Sequence, residues 1–113
     1  MRKTDKKREK AITAALTDVC TIALAEVQGF RWLTHRVNYT SFPDSLHVVC
    51  VFDKRSNLTA AISHHQDQFL RSLISEKLSA AGIQFNNSRR KVSFDTEEAC
   101  REESGADWTV RLR

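Results

Sequence analysis

The chain is poor in the residues that interrupt or cross-link a fold. In 113 residues proline occurs once, at Pro43, and glycine three times. So few breakers argue against a disordered or low-complexity chain and against a second domain on a linker. Cysteine occurs only at Cys20, Cys50 and Cys100, an odd number, far apart and without a CxxC pair. That argues against a disulfide framework and a thiolate metal site, and a reducing, cytoplasmic setting is expected. No apolar run approaches the roughly 18–20 residues of a membrane span. No apolar stretch follows the charged start, so neither a membrane partner nor a secretory signal is expected. GxSxG, a Walker loop and a dinucleotide fingerprint are all missing, so no cofactor and no enzymatic activity are expected.

What remains is an ordinary globular composition. Hydrophobic residues make up 41% and charged residues 28%, enough for one core in one domain. No internal repeat is visible.

The charge is unevenly placed. Arg2, Lys3, Lys6, Lys7, Arg8 and Lys10 face only Asp5 and Glu9, which accounts for the whole net charge of +4. Residues 11–113 carry twelve basic and twelve acidic residues. The chain therefore divides into a basic, partly frayed N-terminal arm at 1–10 and a single neutral α+β domain at 11–113.

Periodicity places the elements. Ile12, Ala15, Leu16, Val19, Cys20, Ala23 and Val27 recur at spacings of three and four, which predicts a helix over 5–28, capped by Thr4 or Asp5 and stopped at Gly29. Phe30–Tyr39 and Leu46–Phe52 flank a Pro43-Asp44 turn and read as a β-hairpin. The second of these strands is apolar on both faces except at His47, so it belongs inside the sheet. Leu58–Ala81 reads as a second long helix ending at Gly82, with His65 on its apolar stripe. Lys91–Phe94 reads as a strand. Asp95 and Glu98 have capping-box spacing before a short helix at 96–103. Trp108, Val110 and Leu112 alternate with Thr109, Arg111 and Arg113, which predicts a final strand. The expected fold is a two-layer α+β sandwich. Two long helices pack on a mostly antiparallel sheet of about four strands, in the order α-β-β-α-β-α(short)-β.

Basic residues supply the first candidate site. Arg2, Lys3, Lys6, Lys7, Arg8 and Lys10, with Arg89, Arg90 and Lys91, form a possible set of phosphate contacts for RNA or DNA. Such contacts are weak, salt-sensitive and blind to sequence. Arg31, Arg36, Arg111 and Arg113 could extend them along a sheet edge. Charged edge strands also serve simply to discourage aggregation. The acidic set Asp95, Glu97, Glu98, Glu102, Glu103 and Asp107 could cancel the arm by pairing with it.

Histidines supply the second. His64 and His65 point about 100° apart on a helix, so they do not chelate as an HxxxH pair would. His35 and His47 could face each other across the hairpin, and a ligand pocket near His47 and His65 is conceivable. Zinc wants three or four converging ligands, and no metal is expected. Cys50 sits among apolar neighbours, where burial silences a thiol. Phe30, Trp32, Tyr39 and Trp108 fit core packing better than base stacking.

The stretches Phe30-Arg31-Trp32-Leu33-Thr34-His35, Val37-Asn38-Tyr39, Phe42-Pro43 with Leu46–Asp53, and Val92-Ser93-Phe94-Asp95 resemble a small bacterial family. Its members are sometimes labelled Fis-family transcriptional regulators. The opening Met1–Lys7 is similar too. The resemblance carries no activity and no functional residue. Fis-type DNA binding uses a helix-turn-helix, whereas here a hairpin of about 25 residues separates the two long helices. The expected function is binding without catalysis, first to a protein partner or to a second copy of the chain. Nucleic-acid binding through the arm is the alternative, and small-molecule or metal binding the third reading.

Overall fold

The computed structural model describes residues 2–112. Its first helix, α1, runs from Lys3 to Glu26 and buries Ile12, Ala15, Leu16, Val19 and Ala23 along one stripe. The helix ends where Val27 N–H bonds to the Ala23 carbonyl at 2.8 Å. Gly29 then takes φ +86°, the left-handed region. A Cβ there would lie 2.6 Å from Asn57 Cβ, so the turn has room only for glycine.

Strand β1 (Phe30–Arg36) and strand β2 (His47–Phe52) form the expected antiparallel hairpin, with Phe30 opposite Phe52 and Arg36 opposite His47. The ladder is irregular between Phe30 and Trp32. Strand β3 (Val92–Thr96) pairs with the other side of β2, in parallel, with Val48 opposite Val92 and Phe52 opposite Thr96. The order is β1-β2-β3.

Residues opposite one another share a face. The first face therefore carries Leu33, His35, Val48, Cys50, Phe52, Val92 and Phe94. The second carries Trp32, Thr34, Arg36, His47, Val49, Val51, Ser93 and Asp95. The first face forms one core with α1 and with Leu70, Ile74 and Leu78 of α3 (Gln66–Ala80). Each such fully buried side chain contributes roughly 1.5–3 kcal/mol.

Over part of the second face lie α5 (Glu97–Ser104) and α6 (Trp108–Arg111). Trp108 meets Trp32 edge-on with ring centroids 4.8 Å apart. Arg111 clamps Asp95 through Nε at 2.5 Å and Nη2 at 2.8 Å. Helices α2 (Arg55–Ser63) and α4 (Ser88–Lys91) complete the chain. No helix among the described residues is long and apolar enough to cross a membrane.

The α+β class is as expected, and its details differ. The sheet has three strands and is mixed, because the helical crossover after β2 returns the chain to the start of the sheet. The expected last strand is instead α6. Asp107 accepts bonds from Thr109 N–H at 3.0 Å and Val110 N–H at 3.2 Å, which caps a helical turn. Arg113 of that expected strand lies outside the described residues. The second long helix is two helices, broken where His65 takes φ +61°. His65 is exposed there, not buried. The two-layer sandwich also gains α5 and α6 on its second face.

The cap of α5 is one residue later than the capping box placed it. Thr96 Oγ1 accepts from Ala99 N–H at 2.9 Å.

Candidate nucleic-acid interface

The register fixes which segments share an end of the molecule. β1 finishes at Arg36, β2 starts at His47 and β3 starts at Val92, so all three termini lie at one end of the sheet. α4 leads directly into Val92 and sits at that end.

The first turns of α1 are tied to the same end. Residues 3–10 are continuous with the rest of α1, two residues ahead of the expected start. Glu9 holds two groups with one carboxylate. His35 Nε2 is 2.9 Å from Oε1, and the Tyr39 hydroxyl donates to Oε2. Burial, and then the bond to Glu9, push the Tyr39 phenol well above its ordinary range. It therefore stays a donor at any physiological pH. Next to Glu9 in the chain, the Arg8 guanidinium lies 4.5 Å from the Phe42 ring centroid. Phe42 in turn stacks on Tyr39 at 5.8 Å.

The basic residues named from sequence thus meet at this end. Residues 2–10, 36–46 and 88–91 together hold ten cations and three carboxylates, Asp5, Glu9 and Asp44. Lys3, Lys6, Lys7 and Lys10 share one exposed stripe of α1. Arg2, Arg89 and Arg90 are exposed as well. None of these seven has a carboxylate within 4.0 Å among the described residues. Arg8 and Lys91 are partly engaged, with Asp5 at 3.5 Å and Asp44 at 3.8 Å. Arg36, an edge residue in the sequence reading, belongs to this end and donates to the Leu112 carbonyl.

The acidic set does not cancel the arm. Glu97 approaches Arg31 at 3.7 Å, at the far end of β1. Asp95 holds Arg111. Glu102 and Glu103 both hold Arg55, with Glu103 at 2.6 Å. Glu98 accepts from Arg55 N–H at 2.9 Å, and Asp107 caps α6. Arg31 and Arg111 are thereby spent within the acidic cluster and do not extend the positive surface.

Lysines at spacings of three and four near a helix start repel one another and oppose the helix dipole. A polyanion docked there would relieve both. The spacing was legible in the sequence. The convergence of α4 on the same end was not, because it depends on the parallel placement of β3; Arg36, read from sequence as an extension of the set, is brought there by the hairpin.

The histidine readings find no site. His35 and His47 lie on opposite sheet faces, so they do not face each other across the hairpin. His47 Nε2 is 2.9 Å from Ser93 Oγ on the second face, while His65 is in solvent. No group of three or more His, Cys, Asp or Glu converges among the described residues. Burial pushes the Cys50 thiol up to about 12 and raises that of Cys100 as well.

Helices α2 and α3 are joined by two residues, as a helix-turn-helix requires a short turn. The solvent side of α3 offers Gln68, Ser72 and Glu76 and no fully exposed cation. Its other face is committed to α1. A recognition helix is not formed there.

Comparison with protein-family models, with curated proteins and with solved structures finds no match to the chain.

Proposed function

We propose that this chain is a binding domain, not an enzyme, and that it holds nucleic acid by its basic end through phosphate contacts. One observation carries the reading. Among the described residues, seven exposed cations at the start of α1 and on α4 lie without carboxylate partners at one end, while the acidic set Asp95, Glu97, Glu102 and Glu103 is paired at the other. Lys3, Lys6, Lys7 and Lys10 make the contacting stripe. Arg2, Arg89 and Arg90 flank it. Such a surface attracts phosphate of any sequence, duplex or single-stranded. A reducing, cytoplasmic setting suits the free Cys20, Cys50 and Cys100.

Fluorescence anisotropy with a labelled duplex and a labelled single-stranded RNA at low salt tests this. Lys3→Glu with Lys7→Glu should weaken binding to both by about tenfold or more, since removing a cation from the phosphate backbone weakens every sequence alike. Equal affinity in the variant overturns the proposal.

A further inference from the structure

The outer edge of β1 is unpaired within the sheet, because β1 is the first strand of the order β1-β2-β3. Beside that edge runs α1. Between them lies a depression of about 280 Å³ walled by Thr13, Leu16, Thr17 and Cys20 of α1 and by Leu33 and His35 of β1. It continues past His35 into a wider one of about 590 Å³ bordered by Glu9, Arg36 and Tyr39. Beyond Tyr39 a third, bordered by Arg2 and Arg8, opens onto the basic end. The α1 wall from Thr21 back to Arg2 is roughly 28 Å long at 1.5 Å per residue. That is the length of about eight residues of extended chain.

A strand edge beside a helix is the geometry in which an extended peptide adds to a sheet. The trough also says which peptide. Its α1 wall is small and uncharged at Thr13, Thr17 and Cys20, with Leu16 and Leu33 at its floor. A side chain of valine size fits there. Its two carboxylates are already occupied, Asp5 by Arg8 and Glu9 by His35 and Tyr39. The unneutralised charge along it is positive, from Arg36 on the second face to Arg2 at the mouth. A second copy of β1 would add another Arg36 and no unpaired carboxylate to an edge whose own Arg36 has no carboxylate partner among the described residues, so it offers no charge complement.

We propose that the β1 edge and α1 together form a docking trough for an extended acidic peptide, which adds as a fourth strand with small apolar residues facing Leu16 and Leu33 and carboxylates beside Arg36. This does not rest on nucleic-acid binding. The trough is lined by Thr13, Leu16, Thr17, Cys20 and Leu33, none of which belongs to the phosphate-contact set, and the two surfaces share only Arg2 at the mouth.

The probe is a capped octapeptide alternating valine and glutamate, titrated into the full chain and followed by amide chemical shifts and by alkylation of Cys20. Shifts in Phe30–Arg36 and Thr13–Thr21, with protection of Cys20, are expected. Thr17 is exposed, so Thr17→Trp fills the trough without entering the core and should weaken binding about tenfold or more. Arg36→Glu, or lysine in place of glutamate in the peptide, should do the same. Four outcomes overturn the proposal. They are no shift at about 1 mM peptide, binding indifferent to Thr17→Trp, dimers of the free chain abolished by Thr17→Trp, and an oligonucleotide that moves the same β1 amides.

Discussion

Glu98, on α5, caps α2 from 43 residues further along the chain. Its side chain accepts from Arg55 N–H at 2.9 Å, and its own N–H donates to the Asp53 carbonyl at 3.1 Å. Lys54, the residue at the cap position of α2, supplies no side-chain bond. Glu98→Ala should therefore destabilise the protein by about 1 kcal/mol, a fall in Tm of about 4 °C. Glu98→Gln keeps an acceptor and should lose less. Thermal unfolding followed by circular dichroism measures both.

Asp95 and Arg111 hold α6 to the second sheet face. The pair is bidentate and mostly buried, with side chains 18% and 17% exposed. Hydrogen bonding to Asp95 raises the Arg111 guanidinium further above its ordinary value, so its charge is permanent. Arg111→Lys keeps the charge and loses the fork. It should cost about 1–2 kcal/mol and change the fluorescence of Trp108, which packs on Trp32. Urea unfolding with tryptophan detection reads both effects.

Gly29→Ala should cost more than about 1 kcal/mol. The new Cβ meets Asn57, whose Nδ2 donates to Asp53 at 2.8 Å and so cannot easily yield. Ala106, at φ +64°, is the opposite case. Ala106→Gly should be neutral or stabilising by a few tenths to about 1 kcal/mol. In chemical unfolding the midpoint should fall for Gly29→Ala and hold or rise for Ala106→Gly.

His47 should make stability fall in mild acid. Burial first, and then the nearby Arg36 charge, hold its imidazole below the ordinary value. The unfolded chain therefore takes a proton near pH ~6.5 where the folded chain does not. The stability this ring confers is complete above that pH and declines as pH drops through it, until the folded ring also protonates. His47→Gln should flatten that slope between about pH 7 and pH 5. Urea midpoints across this range, wild type against variant, provide the check.

Much of the fold was legible in the sequence, residue by residue. The stripe from Ile12 to Ala23 defined α1, and the doubly apolar run Val48–Phe52 marked β2 as central. Strand, helical crossover, strand is also the signature of parallel pairing, and Val92–Thr96 obeys it. The expected fourth strand, Trp108–Leu112, is the helical turn α6. There the alternation was real, but Asp107 capped a turn that alternation cannot detect. The break at His64–His65 has no glycine or proline to announce it. It follows from tertiary packing, which turns Leu70, Ile74 and Leu78 toward α1 and leaves Ile62 exposed. Of the basic set, the α1 stripe was readable from spacing alone. Its union with Arg89 and Arg90 needed the third dimension, as did the pairing of the acidic set with Arg31, Arg55 and Arg111.

The slope of log K against log salt concentration, measured for a labelled duplex, tests phosphate binding most directly. Four lysine contacts, with help from Arg2, Arg89 and Arg90, should give a slope of about −4 to −6. Replacing Lys3, Lys6, Lys7 and Lys10 by glutamine should bring the slope to about −2 or shallower. A duplex that does not bind at low salt, or a slope unchanged by the four substitutions, would contradict a phosphate-binding basic end.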